Sequence, residues 1–522
     1  MSGSAQQIDS NENGSIYDIP LWAALVPVVV LIVLLVCNVW IFGGDATYGA
    51  NQIALLLAGA MAVALGRWLG TPFDQSIDAI TASITSSLKA ILILLIIGGL
   101  IGTWMIAGIV PAMVYYGLQI LSPSAFLVMA LLISSIVAVA TGSSWTTAGT
   151  VGVALLAIGE SMGFKTAMVA GAVISGAYFG DKISPLSDTT NLAPAMAGTD
   201  LYTHVRYMFW TTIPSYTITL AVMGWLNYQN IPDVKSVATT AISQIIDREF
   251  NISPWLFVVP GIVIVMVARR IDPVVSLFVA MLLGAFVAVC FQPSIVNRLG
   301  SATGDDATVI VSAEGWTDPA AAKEKPAIID SYPVRAYIAA FKSMALTTSF
   351  RTGDGHADEL LNGKGMEGML NTIWLILCAM CFGGAMEACG FLQRITQPLV
   401  NLARSTGSLI ATTAASCIFV NLTASDQYIA IVVPGRMFRK TFAERGLAPQ
   451  NLSRTLEDSG TVTSVLVPWN TCGAAMFGFL GVATLSYAPY AVFCWISPVI
   501  TVLMAIFGIG IARLKPDDSK PA

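Results

Sequence analysis

Apolar runs of about twenty residues follow one another from Leu21 to Ala512, and a chain built this way has few folding options. In hydrocarbon every backbone N–H and C=O must find a partner inside the protein, which leaves helices or a closed barrel. Runs this long and this uniformly apolar select helices. Hydrophobic residues make up 55% of the 522 residues and charged ones only 11%, far from the balance of a soluble domain. The net charge of -5 argues against nucleic acid as a partner. The expected fold is an all-α polytopic membrane protein whose surroundings are membrane lipid.

Spans are expected at about 21–42, 50–66, 88–109, 123–140, 207–227, 254–268, 273–291, 369–389, 405–421, 426–434, 461–482 and 487–512. They form a single transmembrane domain over 20–512. A polar tail at 1–19, expected to be disordered, precedes it, and a short tail at 513–522 follows. The first run, Leu21 to Phe42, is longer than the apolar core of a signal peptide and follows no Lys or Arg. It reads as a retained span. Arg67 with Lys89, Arg269 with Arg270, the cluster from Arg436 to Arg454, and Arg513 with Lys515 mark connections that the positive-inside rule assigns to the cytoplasm. Both termini then lie on the cytoplasmic face of the cell (inner) membrane, with the long polar interval 292–368 outside. Two stretches, 72–88 and 333–350, read as interfacial helices.

The membrane pattern is interrupted between Thr141 and Asp200. Polar clusters, Thr141-Gly-Ser-Ser-Trp-Thr-Thr147 and Gly180-Asp-Lys-Ile-Ser-Pro-Leu-Ser-Asp-Thr-Thr-Asn191, cut apolar stretches long enough to span. Unwound backbone at membrane depth survives only where protein buries it or a wet cavity receives it. Acids there are expensive, so each one is a candidate functional group. Asp181 and Asp188 sit among Thr189, Thr190, Asn191 and freed carbonyls, the hard oxygen donors that suit a small cation. The competing reading of these hydroxyls and amides is helix capping, and the two readings are compatible. Thr141, Ser143 and Ser144 mark the first break. Lys182 stands as a built-in counter-ion for one Asp, or as an anchor for a substrate carboxylate.

The segment GDKISPLSDTTNLAPAMAGTDLYTH, from Gly180 to His204, resembles the signature of the NhaC-type sodium/proton antiporters. The resemblance is dense across this interrupted region, and the general layout of the chain fits throughout. It implies a secondary transporter carrying Na⁺ and H⁺ without a cofactor. The family also holds sodium-coupled exchangers of small organic acids, so a small organic acid or an amino acid remains an alternative cargo.

The second half of the chain echoes the first. Leu92 to Gly99, with Gly102 and Gly108, resembles Leu375 to Gly384, with Gly390. Thr141-Gly-Ser-Ser144 resembles Thr423-Ala-Ser-Asp426, and the interval from Gly108 to Gly390 equals that from Thr141 to Thr423. Gly180-Asp181 is then expected to match Glu457-Asp458, and Asn191 to match Asn470. The repeats run from about 70 to 230 and from about 333 to 505. The positive-inside assignment gives them opposite orientation, so the fold is expected to contain inverted repeats with broken or re-entrant helices meeting at a shared site.

Within this scheme Asp426 is the single acid between Glu387 and Glu444. With Asp188 it leads the candidates for a group that takes either cation or proton, and Na⁺ is expected at Asp188, Asp426 and Thr189. Asp458 and Asn470 are further candidates. Glu387 is weaker, and His204 reads as a surface group beside Arg206. Cys378-Ala-Met-Cys381 has redox spacing but lies within an expected span, where packed thiols are the simpler reading. The sequence carries no HExxH, GxSxG or nucleotide-binding motif, so an enzyme is not expected. Oligomeric state stays open, a homodimer included.

Overall fold

The computed structural model describes residues 19–514 apart from 43–45, 47, 233–235, 270, 302–307, 313–330, 353, 355, 356, 359, 360, 364, 403 and 404. The expected N-terminal tail up to residue 18, the tail from 515, His356 and much of the interval 292–368 lie outside the described residues. Seven described helices are long and apolar enough to cross a membrane: Leu21–Phe42, Ala50–Trp68, Leu88–Ile106, Pro123–Thr141, Pro273–Phe291, Glu367–Ala388 and Thr406–Thr423. Two helix pairs meet the same test but bend by 89° at a short break, Ile242–Glu249 with Pro254–Met266 and Thr471–Leu480 with Thr484–Tyr490. Val36, Ile136, Ile213 and Phe286 are exposed on the outside of the bundle, as lipid-facing side chains are.

The described architecture is the all-α, broken-helix membrane fold expected, with local corrections. The short span at 426–434 belongs to a longer helix, Gln427–Glu444, which carries Pro434 inside it. The spans expected at 461–482 and 487–512 are not continuous. A π-turn at Glu457–Thr461 and a 3₁₀ turn at Ser464–Leu466 precede helix Thr471–Leu480, and Val492–Ile506 forms a separate helix. Pro468 supplies part of the reason, since it lacks an N–H and pushes the preceding residue out of the helical region. Within 292–368 a parallel strand pair departs from all-helical character, Thr308–Ser312 against Thr347–Arg351 with Val309 opposite Thr348.

The two halves exchange packing partners. Helix Phe73–Ser86 lies on helix Leu370–Ala388, with the Ile80 backbone against Gly384. Helix Tyr332–Ala345 lies on helix Leu88–Ile106, with the Ser343 carbonyl against Gly102. Gly102 and Gly384 are separated by the same interval as Gly108 and Gly390, so they are equivalent positions of the sequence repeat. Helix Ala50–Trp68 packs on Leu370–Ala388 just as Pro273–Phe291 packs on Leu88–Ile106, so the matched contacts begin ahead of residues 70 and 333. The stretch read as a second interfacial helix is partly buried, with Ala336, Ala339 and Ser343 facing inward.

The first break is positioned by helix Thr166–Ile183, which packs along helix Phe126–Thr141. Small residues make this approach possible, as in other membrane helix pairs. Ala172, Gly176 and Gly180 recur every fourth residue, and Gly176 faces the Leu131 carbonyl with no room for a methyl group. Gly176→Ala is therefore expected to lower stability by about 1–3 kcal/mol through overpacking. Gly261→Ala, where nothing lies within 4 Å of the added carbon, should be neutral or slightly stabilising. Thermal unfolding of both variants in detergent checks this, and equal melting would show that the helix contact is loose.

Candidate functional site

Each half breaks its helix in the same way. Helix Phe126–Thr141 ends on Gly142 in the left-handed region (φ 66), and Ser143 turns extended to cap the helix starting at Ser144, its hydroxyl accepting from Thr146 N at 3.1 Å. Helix Thr406–Thr423 ends before Ser425, also left-handed (φ 60), and Asp426 caps helix Gln427–Glu444. Its Oδ1 accepts from Tyr428 N at 2.8 Å and Ile429 N at 3.1 Å. Glycine takes this conformation freely, whereas a serine held there costs on the order of 1 kcal/mol and persists only where its surroundings enforce it. Ser143 and Asp426 lie one position further apart than Thr141 and Thr423, so the repeat register at the break shifts by one from the sequence alignment.

A second cap in each half meets the first break. Ser187 caps helix Asp188–Ala197, and Leu186 with Ser187 packs on Gly142. Asn470 caps helix Thr471–Leu480, whose Thr471 N donates to the Ser425 carbonyl at 2.9 Å. The interval from Ser187 to Asn470 equals that from Ser143 to Asp426. Asn470 thus matches Ser187 and not Asn191, which corrects the expected pairing.

The breaks converge on one cavity of about 380 Å³. Thr141, Ser143, Ser144, Asp181, Asp188 and Thr189 line it from the first half, and Asp426 and Thr471 from the second. Asp181 and Asp426 are buried. Asp181 Oδ2 accepts from Ser144 N at 3.1 Å and from the Ser144 hydroxyl at 2.6 Å. Asp426 divides its oxygens, one capping the helix and the other facing the Thr471 hydroxyl at 3.5 Å. The Asp188 side chain is 65% exposed at the mouth, next to Lys89.

Other sequence candidates serve the walls. The Thr190 hydroxyl donates to the Asp181 and Lys182 carbonyls at 3.1 and 3.0 Å, and Asn191 Nδ2 donates to Pro185 O and Ser187 O. Asn470 Oδ1 accepts from Cys472 N while its Nδ2 donates to Asn421. Lys182 and Asp458 form an ion pair with both side chains wholly buried. Lys182 also donates to the Ser497 hydroxyl at 3.0 Å, and the Thr501 hydroxyl donates to Asp458. Neither residue lines the cavity. A matching of Gly180-Asp181 with Glu457-Asp458 therefore places the two acids in different surroundings, one in the cavity and one in the pair behind it.

His204 is wholly buried, not a surface group, and its Nδ1 lies 2.8 Å from the Ser453 hydroxyl. The reason is tertiary: helix Leu201–Gln229 packs its first turns on helix Pro449–Leu456. Glu457 is also buried, accepting from the Thr189 hydroxyl at 3.0 Å. Several residues that line the cavity are not among the candidates from the sequence, including Ser187, Thr471, Gln427, Lys89 and Trp145. Carrying the Ser143-to-Asp426 interval forward from Ser144 to Gln427 and from Asp188 to Thr471 would have found two of them.

A helical membrane bundle whose helices break in pairs around one shared cavity has the build of a secondary transporter. The sequence profile of the Na⁺/H⁺ antiporter family matches residues 176–304 and 333–509. Similar proteins include the Na⁺/H⁺ antiporter NhaC of Alkalihalophilus pseudofirmus, 35% identical over 88% of this chain and 91% of that protein. The malate-2H⁺/Na⁺-lactate antiporter of Bacillus subtilis is 34% identical over 88% of each chain. The arginine/ornithine antiporter ArcD of Halobacterium salinarum is 34% identical over 95% of this chain and 94% of its own. The chain belongs to the Na⁺/H⁺ antiporter family.

Proposed function

We propose that this protein exchanges Na⁺ for H⁺ across the cytoplasmic membrane through the cavity between its two halves. The observation that carries the reading is that one cavity collects acids from both breaks, Asp181 and Asp188 from the first and Asp426 from the second. Burial away from water disfavours a bare carboxylate charge. A buried acid is best filled by either a cation or a proton, and this mutual exclusion is the requirement of exchange. Hydroxyls of Thr141, Ser144, Thr189 and Thr471 add uncharged oxygen donors around the acids, as a Na⁺ shell needs.

The mouth carries Lys89 and Asp188, with Asp272 within ion-pair reach of Lys89. Lys89 and Asp272 flank connections that the positive-inside rule assigns to the cytoplasm, so this conformation is read as open inward. Exchange then follows from the two halves rocking about the site, exposing the same acids first to one side and then to the other.

The test is proton movement on Na⁺ addition in reconstituted vesicles under an imposed pH gradient. Na⁺-dependent alkalinisation or acidification of the correct sign is expected, and none in a folded, correctly inserted protein would overturn the reading. Asp188→Asn is expected to raise the KM for Na⁺ several-fold while leaving exchange running. Its exposed charge is screened by water, and Ser187 keeps the helix cap. Complete loss in that variant would move Asp188 to the centre of the site.

One observation favours a second reading. A cavity of about 380 Å³ falls in the range of small-molecule pockets, larger than a bare ion requires. Two relatives are named for the exchange of organic solutes. Na⁺-driven uptake of malate, lactate, arginine or ornithine by the same vesicles would replace simple Na⁺/H⁺ exchange with coupled exchange of that solute.

A further inference from the structure

Lys89 occupies an unfavourable place for a cation. It is the second residue of helix Leu88–Ile106, where no acid occupies the first turn and the helix dipole presents its positive end. Its ammonium group lies 3.3 Å from Asp272 Oδ2 and 3.9 Å from Asp188 Oδ2. Asp188 lines the cavity, and so does Lys89, but Asp272 does not. All three side chains are about half exposed or more, at 49%, 65% and 49% for Lys89, Asp188 and Asp272. A long flexible side chain therefore stands between an acid inside the transport cavity and an acid outside it.

We infer that Lys89 is a tethered competitor of the transported cation, shared between Asp188 and Asp272 in this structure and drawn fully to Asp272 when Na⁺ takes Asp188. This inference rests on the Na⁺/H⁺ reading above and adds a residue that sets its cation affinity. Asp272 is the parking site, and its chemistry suits that role without further cost. Its Oδ1 caps helix Pro273–Phe291 by accepting from Val274 N at 2.8 Å, which leaves Oδ2 for Lys89. The helix cap and the ion pair are thus separable, because Asn caps a helix as well as Asp.

The experiment compares Lys89→Gln, Lys89→Arg and Asp272→Asn in the full-length protein, with KM for Na⁺ and maximal rate measured from the side that the mouth faces. Lys89→Gln removes the competitor and should lower the KM about two- to fivefold, the range open to a half-exposed ion pair. Asp272→Asn keeps the cap but removes the parking site, leaving Lys89 on Asp188, and should raise the KM by a similar factor. Lys89→Arg should behave as wild type. Maximal rates should change little, and the shifts should shrink in high choline chloride as screening grows.

Opposite shifts are the signature, since damage to folding or insertion would move both variants the same way. Shifts in one direction, or none in either, overturn the inference. A higher KM in Lys89→Gln also overturns it and identifies Lys89 as a receiver of an anionic cargo. Wild-type protein without Na⁺-dependent proton movement overturns the functional reading and this inference together. Failure of the opposite shifts in an active wild type overturns the Lys89 inference alone.

Discussion

Asp426→Asn and Asp181→Asn are each expected to abolish Na⁺-dependent proton movement while the protein folds and inserts normally. The geometry separates charge from architecture at both positions. Asp426 holds the start of helix Gln427–Glu444 through Oδ1, on Tyr428 N and Ile429 N. An Asn side chain presents the same oxygen to the same donors and caps with equal strength. Asp181 Oδ2 accepts from Ser144 N and its hydroxyl, and an amide oxygen can keep the backbone bond. An amide cannot bind or release a proton near neutral pH and offers a cation a far weaker partner. If capping were the whole role of Asp426, its Asn variant would exchange at the wild-type rate. Proton release on Na⁺ addition, scored beside thermal stability, decides the matter, and normal exchange in both variants would remove these acids from the mechanism.

Lys182→Met should be strongly destabilising, and adding Asp458→Leu should rescue it. Both side chains of the pair are wholly buried, and the partners come from opposite halves of the chain. Removing Lys182 leaves Asp458 with the hydroxyls of Ser497 and Thr501 but no opposing charge. Breaking a buried pair in this way costs about 3–5 kcal/mol. Replacing both partners with apolar groups of similar size removes the stranded charge and is often neutral or stabilising. Melting in detergent should show a large drop for the single variant and recovery for the double. The double variant should also retain exchange, because neither residue lines the cavity. Restored stability with exchange lost would instead make the pair part of the coupling machinery.

The corrections have a common origin. His204 follows a capping Asp200 at a helix start, a pattern that describes exposed and buried histidines equally well. Its burial depends on a helix from the far half of the chain, through Ser453. Lys182 reads in the sequence as a counter-ion for one Asp or an anchor for a substrate carboxylate, with the partner left open. In helix Thr166–Ile183 consecutive side chains point about 100° apart, so residue 181 faces the cavity and residue 182 faces the bundle behind it. Asp188 lines the cavity as the sequence expects, and as the first residue of its helix it stands at the mouth.

What the sequence determined by itself was everything governed by local chemistry. Apolar runs of membrane length require helices, because hydrocarbon offers no partner for a free backbone group. The polar breaks at Thr141 and Asp426, the polar residues Ser143 and Asn470 that prove to be caps, and the near-constant offset between the halves were all legible for the same reason. Each depends on residues within a turn of one another or on simple periodicity. The tertiary structure alone decided which acids share the cavity, which acid Lys182 neutralises, and how helices Phe73–Ser86 and Tyr332–Ala345 trade partners across the halves. Those outcomes depend on the rotation of each helix about its axis and on backbone approach at single glycines such as Gly102 and Gly384. Such packing choices join residues from distant parts of the sequence, and no window along the chain contains them.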